Sequence, residues 1–310
     1  VEVIKKVRRE KKSTKKNLLW YVMTRLSMIV GLLLLFYLVI SCHINTIIQQ
    51  QTIRTYTEDI VDTNEDQFKK AIQDADEYNR MLYQTLGLSI GGVTDDILTS
   101  EKYQSLLNLS GNGIMGSIEI PQINVALPIY HGTSDEVLSN GIGHVENTSL
   151  PVGGTNTRCV LSGHRGLPSS NLFTRLDELQ NGDLFFINVA NQTLAYKIYD
   201  IQVIEPEDVD SIAIVPEKDL VSLVTCTPYG KNTHRLVITG ERVPYSKAEK
   251  EDIPVRKYSN REIWLYLIVA LLDIAILGSF GFDWYQTQQK KKKSKNRNSL
   301  DSHLRYKDDN

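Results

Sequence analysis

Ser222-Leu-Val-Thr-Cys-Thr-Pro-Tyr-Gly-Lys-Asn-Thr-His-Arg235 reads as a strand, a turn and the opening of a second strand. The β-branched, apolar run that opens it begins at Asp219 and reaches Cys226; Pro228 and Gly230 punctuate the turn, and a second run follows from Arg235 to Val243. Working outward, five more runs share this texture: Gly116–Ile120, Val125–Tyr130, Arg158–Ser162, Asp183–Val189 and Thr193–Val203. Gly, Pro and Asn separate them, and Ala190-Asn191-Gln192 has the look of a hairpin turn. At least seven short strands within about 135 residues predict a β-barrel or β-sandwich.

Upstream the texture is helical. Phe68, Ala71, Ile72, Ala75, Tyr78, Leu82 and Leu86 recur at steps of three and four, one face of an amphipathic helix within residues 54–110. Gly87, Gly91 and Gly92 end it, and a short second helix fits Ser100–Leu109 with Tyr103, Leu106 and Leu107 inward. No proline precedes Pro121, so none breaks these helices.

The flanks point to a membrane. The chain has 310 residues, 41% hydrophobic and 23% charged, and a net charge of −2 that conceals a strong segregation. Residues 1–17 carry eight Lys/Arg against two acidic residues, and residues 286–310 carry eight against three; residues 41–262 hold 18 basic and 30 acidic residues. An acidic middle argues against nucleic-acid binding, and three cysteines in so long a chain exclude a disulfide-dense scaffold. Leu26–Ile40 is uncharged, and with Leu18–Tyr21 it reaches spanning length; Arg25 lies near its cytoplasmic end, where it can snorkel to the headgroups. A second apolar run, Ile263–Phe282, has Asp273 near its middle, an expensive residue unless paired or protonated. The basic clusters predict cytoplasmic tails at both ends and an extracellular middle. The expected layout is a basic tail (1–17), a transmembrane helix (18–40), a helical lead-in (41–110), a β domain (111–245), a polar linker (246–262), a second transmembrane helix (263–285) and a basic tail (286–310). One rival concerns Val39-Ile40-Ser41-Cys42, which also fits a lipoprotein signal with Cys42 lipidated.

Two places carry chemistry. Leu161-Ser-Gly-His164-Arg-Gly puts a histidine just after a strand in a glycine-framed loop, and Cys226 ends another strand. Strand ends beside loops are where a rigid scaffold presents reactive groups. A neighbouring imidazole favours the thiolate, the nucleophilic form of cysteine. Arg235 follows Cys226 by nine residues, so a hairpin returns its guanidinium to the sulfur, where a permanent charge suits an oxyanion. His131 is expected to make a structural hydrogen bond, His144 and His234 to serve loop packing, and Cys159 to be a buried apolar filler. A Cys159–Cys226 bridge would block the nucleophile. No metal-ligand spacing is present, and no cofactor is expected.

The stretch from Gly113 to Val243 resembles the sortases, cysteine transpeptidases of Gram-positive cell surfaces, and among them class C, the pilin-polymerising group. The matching pieces are Gly113-Ile-Met-Gly-Ser-Ile-Glu-Ile-Pro121, Leu127-Pro-Ile-Tyr-His-Gly-Thr133, Thr148-Ser-Leu-Pro-Val-Gly-Gly154, Leu161-Ser-Gly-His-Arg-Gly-Leu167, Leu172-Phe-Thr-Arg-Leu176 and the opening stretch quoted above. The resemblance implies a closed eight-stranded barrel with N-terminal helices, flanked by two transmembrane helices. It implies Cys226 as nucleophile, His164 as proton donor and acceptor, Arg235 as oxyanion and substrate clamp, and Thr225 as a substrate contact. The expected partners are LPxTG-like sorting signals of pilins or surface proteins, an acceptor lysine amine and the membrane. Alternatives are attachment of proteins to cell-wall peptide amines, hydrolysis, or a non-catalytic adaptor using the same barrel. Ser222 stands where the family motif usually has Thr. The Asp-Pro-aromatic lid of most class C members is missing; Asp95 and Asp96 are the nearest candidates, so Cys226 is expected to be open to solvent.

Overall fold

Eight strands close into a barrel in the computed structural model, which describes residues 2–61, 63–87, 100–167 and 170–308. They are β1 (Ile114–Ile120), β2 (Val125–His131), β3 (Ile142–His144), β4 (Thr157–Ser162), β5 (Leu184–Val189), β6 (Gln192–Ile204), β7 (Asp219–Thr227) and β8 (His234–Val243). Their order around the barrel is β1-β2-β3-β4-β7-β8-β6-β5. β2–β3 and β4–β7 pair parallel and every other neighbour pairs antiparallel, so the barrel is mixed.

All seven expected strands are present, each within two residues of its expected ends. The eighth, β3, has three residues, too few to show a period of two. It becomes a parallel neighbour of β2 through a crossover holding helix α4 (Asp135–Asn140), whose first turn is capped by Ser134 Oγ accepting from Val137 N at 3.3 Å. Inside, Ile118, Ile187, Leu223 and Ile238 are fully buried, and the rings of Phe185 and Tyr196 stack at 5.5 Å. Gly240 lies beneath that stack: a Cβ there would come within 2.5 Å of the Phe185 ring.

Three helices precede the barrel: α1 (Glu2–Asp59), α2 (Glu65–Gly87) and α3 (Ser100–Ser105). The helical stretch expected within residues 54–110 is interrupted at its start because Asn64 and Gln67 form a reciprocal cap. Gln67 N donates to Asn64 Oδ1 at 2.8 Å, and Asn64 N donates to Gln67 Oε1 at 3.2 Å. The predicted stripe then seats α2 on the barrel core through Ala75, Tyr78 and Leu82. Asn79 secures it, taking both the N–H (2.7 Å) and the carbonyl (3.3 Å) of Leu150. α3 is shorter than expected, yet Tyr103, Leu106 and Leu107 are buried as read from the sequence. The Gly91–Ile97 segment, with Asp95 and Asp96, lies outside the described residues.

The polar linker is more structured than its composition suggests. Ser246 caps a short helix α5 (Lys247–Glu251), and Lys250 pairs with Glu119 of β1 at 2.8 Å. Arg175 Nη1 then donates to the carbonyls of Ile123 (3.0 Å) and Arg256 (2.9 Å), fastening the outgoing chain to the barrel.

The chain divides into two compact units, residues 38–259 and residues 1–37 with 260–310. The second unit contains the N-terminal part of α1 and helix α6 (Asn260–Asp308). Among the described residues one helix is long and apolar enough to cross a membrane, Glu262–Gln286 with mean hydropathy 2.3; the apolar stretch Val22–Leu34 is shorter. Arg25 pairs with Asp283 and lies over the Phe280 ring at 4.6 Å. Asp273 Oδ1 is buried with no hydrogen-bond partner among the described residues.

Candidate active site

Two registers bring the sequence-derived residues to one end of the barrel. β7 and β8 pair so that Cys226 is directly opposite Arg235. Directly opposed residues of an antiparallel pair project from the same face, so the nine-residue spacing does what the hairpin arithmetic required. β4 runs parallel to β7 with Ser162 opposite Val224, and Gly163 N donates to Val224 O at 3.1 Å. The chain therefore leaves β4 beside the end of β7, and His164 follows two residues after the strand that neighbours the cysteine's own. Cys226, His164 and Arg235 are all half-buried, which leaves each a path to solvent. Arg235 Nη1 donates to the carbonyls of Asn232 (3.3 Å) and His234 (3.2 Å), so its fork is steadied by its own turn.

Thr225, the expected substrate contact, is buried, and its hydroxyl donates to Gly163 O at 2.7 Å. Strand alternation explains this: Thr225 and Cys226 are consecutive, so they face opposite sides of the sheet. Arg165 is the residue that sequence reading passes over. Its buried guanidinium pairs with Asp177 and donates from Nη1 to Thr227 Oγ1 at 3.1 Å, while its Nε is buried without a partner among the described residues. The only hint in the sequence is its place directly after His164.

The remaining candidates are occupied by structure. Cys159 is a free thiol on β4, opposite Val221 rather than Cys226, and burial pushes its pKa up. His144 is fully buried; its Nδ1 lies 2.8 Å from the Tyr103 hydroxyl and its Nε2 2.9 Å from Ser149 O. Burial lowers its pKa to about 4, so the ring is neutral, with Nε2–H donating to the carbonyl and Nδ1 accepting from Tyr103. His131 lies within hydrogen-bond reach of Gly113 O (3.0 Å) and Leu106 O (2.8 Å), and His234 lies 3.2 Å from Glu205. A cleft of about 630 Å³ between α2 and Gly153–Thr157 opens at the opposite end of β4 from His164, remote from this chemistry.

A barrel with this strand order, presenting Cys, His and Arg from β7, the end of β4 and β8, has clear relatives. The sortase domain family matches residues 118–243. The crystal structure of sortase C1 from Streptococcus agalactiae is 43% identical, with 63% of this chain and 100% of that chain aligned at a TM-score of 0.58. Sortase C from Clostridium perfringens, solved with the C-terminal cell wall sorting motif, is 39% identical over 63% of this chain and 99% of that chain, TM-score 0.53. Sortase D of Bacillus subtilis is 34% identical over 131 residues, 41% of this chain and 63% of the relative. The chain thus spans less than two thirds of that relative's length, and 52% of sortase A of Streptococcus agalactiae. The chain belongs to the sortase family. Its structural neighbours are class C sortases.

Proposed function

We propose that the protein is a membrane-anchored extracellular cysteine transpeptidase that joins pilin subunits. The observation that carries the reading is the cross-strand pair Cys226–Arg235 with His164 delivered by the adjacent parallel strand. The Cys226 thiolate attacks the threonine carbonyl of an LPxTG-like sorting signal, and the Arg235 guanidinium stabilises the oxyanion that develops. His164 passes a proton to the departing glycine amine, which leaves a thioacyl enzyme. A lysine amine of another subunit then loses a proton to His164, attacks the thioester and releases the thiol with formation of an isopeptide bond. Class C likeness supports a lysine acceptor, and the C-terminal cell wall sorting motif with which the Clostridium perfringens sortase C was solved supports this substrate class. The apolar helix Glu262–Gln286 supports an anchor that keeps the enzyme beside membrane-held substrates. Basic clusters at 5–16 and 290–297 support cytoplasmic tails.

The test is polymerisation of a pilin bearing the sorting signal. Wild-type enzyme is expected to yield ladders that resist reduction, and Cys226→Ala none, with the barrel still folded. Arg235→Ala is expected to lower turnover by about 100- to 1000-fold or more, the usual consequence of losing an oxyanion donor. Polymer from Cys226→Ala would falsify the reading.

A further inference from the structure

The residues on either side of His164 are bonded to the residues on either side of Cys226. Gly163 O accepts from Thr225 Oγ1 at 2.7 Å, and Arg165 Nη1 donates to Thr227 Oγ1 at 3.1 Å. Alternation along β7 turns both threonines away from the face that carries Cys226, so the two bonds run behind the thiol. The first bond is within the reach of paired strands. The second is not, because the chain has already left β4 at Ser162 and only a long side chain can cross. Arg165 makes that crossing under restraint. Its other terminal nitrogen is held by Asp177, its side chain is 4% exposed, and the next amide, Gly166 N, donates to Thr174 Oγ1 at 3.1 Å.

This arrangement is expensive for stability alone. A buried guanidinium forfeits hydration, and its Nε has no hydrogen-bond partner among the described residues, a further cost. The compensation is geometric: a planar fork bonded at both ends cannot rotate, so the loop holding the imidazole is registered against the strand holding the thiol. We propose that Arg165 is a positioning residue, a brace that fixes the separation of His164 and Cys226 through Thr227. Resting on the transpeptidase reading, it assigns the chain a member of the site that never touches substrate. Proton transfer between imidazole, thiol and leaving amine depends steeply on that separation. Loss of the brace should therefore appear in the chemical step rather than in binding.

The experiment uses the full chain in detergent with an internally quenched LPxTG peptide, comparing wild type, Arg165→Met, Thr227→Val and the double variant. Arg165→Met is expected to lower kcat about 10- to 100-fold with KM within about twofold, in the range of misplaced catalytic groups. Its pH–rate profile should move, because the brace sets the distance over which the proton is exchanged. Thr227→Val should act in the same direction, and the double variant should be no slower than Arg165→Met, since both remove one bond. Additive losses, a purely KM effect or an unchanged pH profile would overturn the brace. If Arg165→Met fails to fold, Thr227→Val, which deletes a single hydrogen bond without changing volume, decides the matter by the same kcat and pH criteria. Cys226→Ala separates the two claims: residual cleavage there removes the transpeptidase reading, whereas a dead Cys226→Ala beside a normal Thr227→Val removes only the brace.

Discussion

Cys226 and Cys159 show what burial does to one functional group. Both are free thiols, but Cys226 is half-buried at a strand end and Cys159 is enclosed in β4 with its thiolate disfavoured by desolvation. Iodoacetamide at neutral pH should modify Cys226 in the folded protein and leave Cys159 intact until the chain unfolds, as mass spectrometry of peptides would report. Equal labelling would contradict the burial. His144 gives a second residue-level expectation. Its pKa is lowered from 6.5 to about 4 by burial, so between those values the unfolded chain binds more protons than the folded one. Stability from this group is complete above about pH 6.5 and is lost as pH falls toward 4, in all about 3 kcal/mol at 1.36 kcal/mol per unit. Thermal unfolding from pH 7 to pH 4 should show this slope in wild type and a flatter one in His144→Asn, whatever the variant's absolute stability. The cross-strand pair Cys226–Arg235 was legible at this scale because the two residues flank one turn. Arg165 was not, since its partners Asp177 and Thr227 are brought to it only by the closed barrel.

Among the elements, the strands with β-branched runs bounded by turn residues could be read directly from the sequence. β3 could not, because three residues carry no periodicity and its pairing depends on the α4 crossover. The break between α1 and α2 was legible but passed over: Asn64-Glu-Asp-Gln67 has capping-box spacing, and the apolar stripe drew the reading past it. The linker misled by its charge, since Lys250 and the Arg256 carbonyl have partners on the barrel. β8 makes the element-level prediction. Gly240 fits beneath the Phe185–Tyr196 stack with no room for a Cβ, so Gly240→Ala must displace an aromatic ring. Overpacking of this kind destabilises by roughly 1–3 kcal/mol. Denaturant unfolding should show a lower midpoint at unchanged slope, and an unaltered midpoint would mean that the stack yields freely.

For the whole molecule, charge is the organising quantity. Basic tails and an acidic middle are the pattern on which the proposed direction across a bilayer rests. Protease added to protoplasts should cut within 42–262 and spare both tails; labelling from outside at a cysteine introduced near residue 295 would refute that topology. The parallel pairing of β4 with β7 has a further effect, on the order of events during synthesis. His164 and Cys226 belong to neighbouring strands, but 61 residues lie between them, and the strand carrying Arg235 follows later still. Such pairings form slowly, because the intervening loop must be closed before any contact rewards it. If Cys226, His164 and Arg235 act together as proposed, a nascent chain carries an unassisted thiol until β7 docks beside β4. Contact order would then confine the proposed acyl transfer to molecules whose barrel has already shut, a safeguard that comes from topology alone.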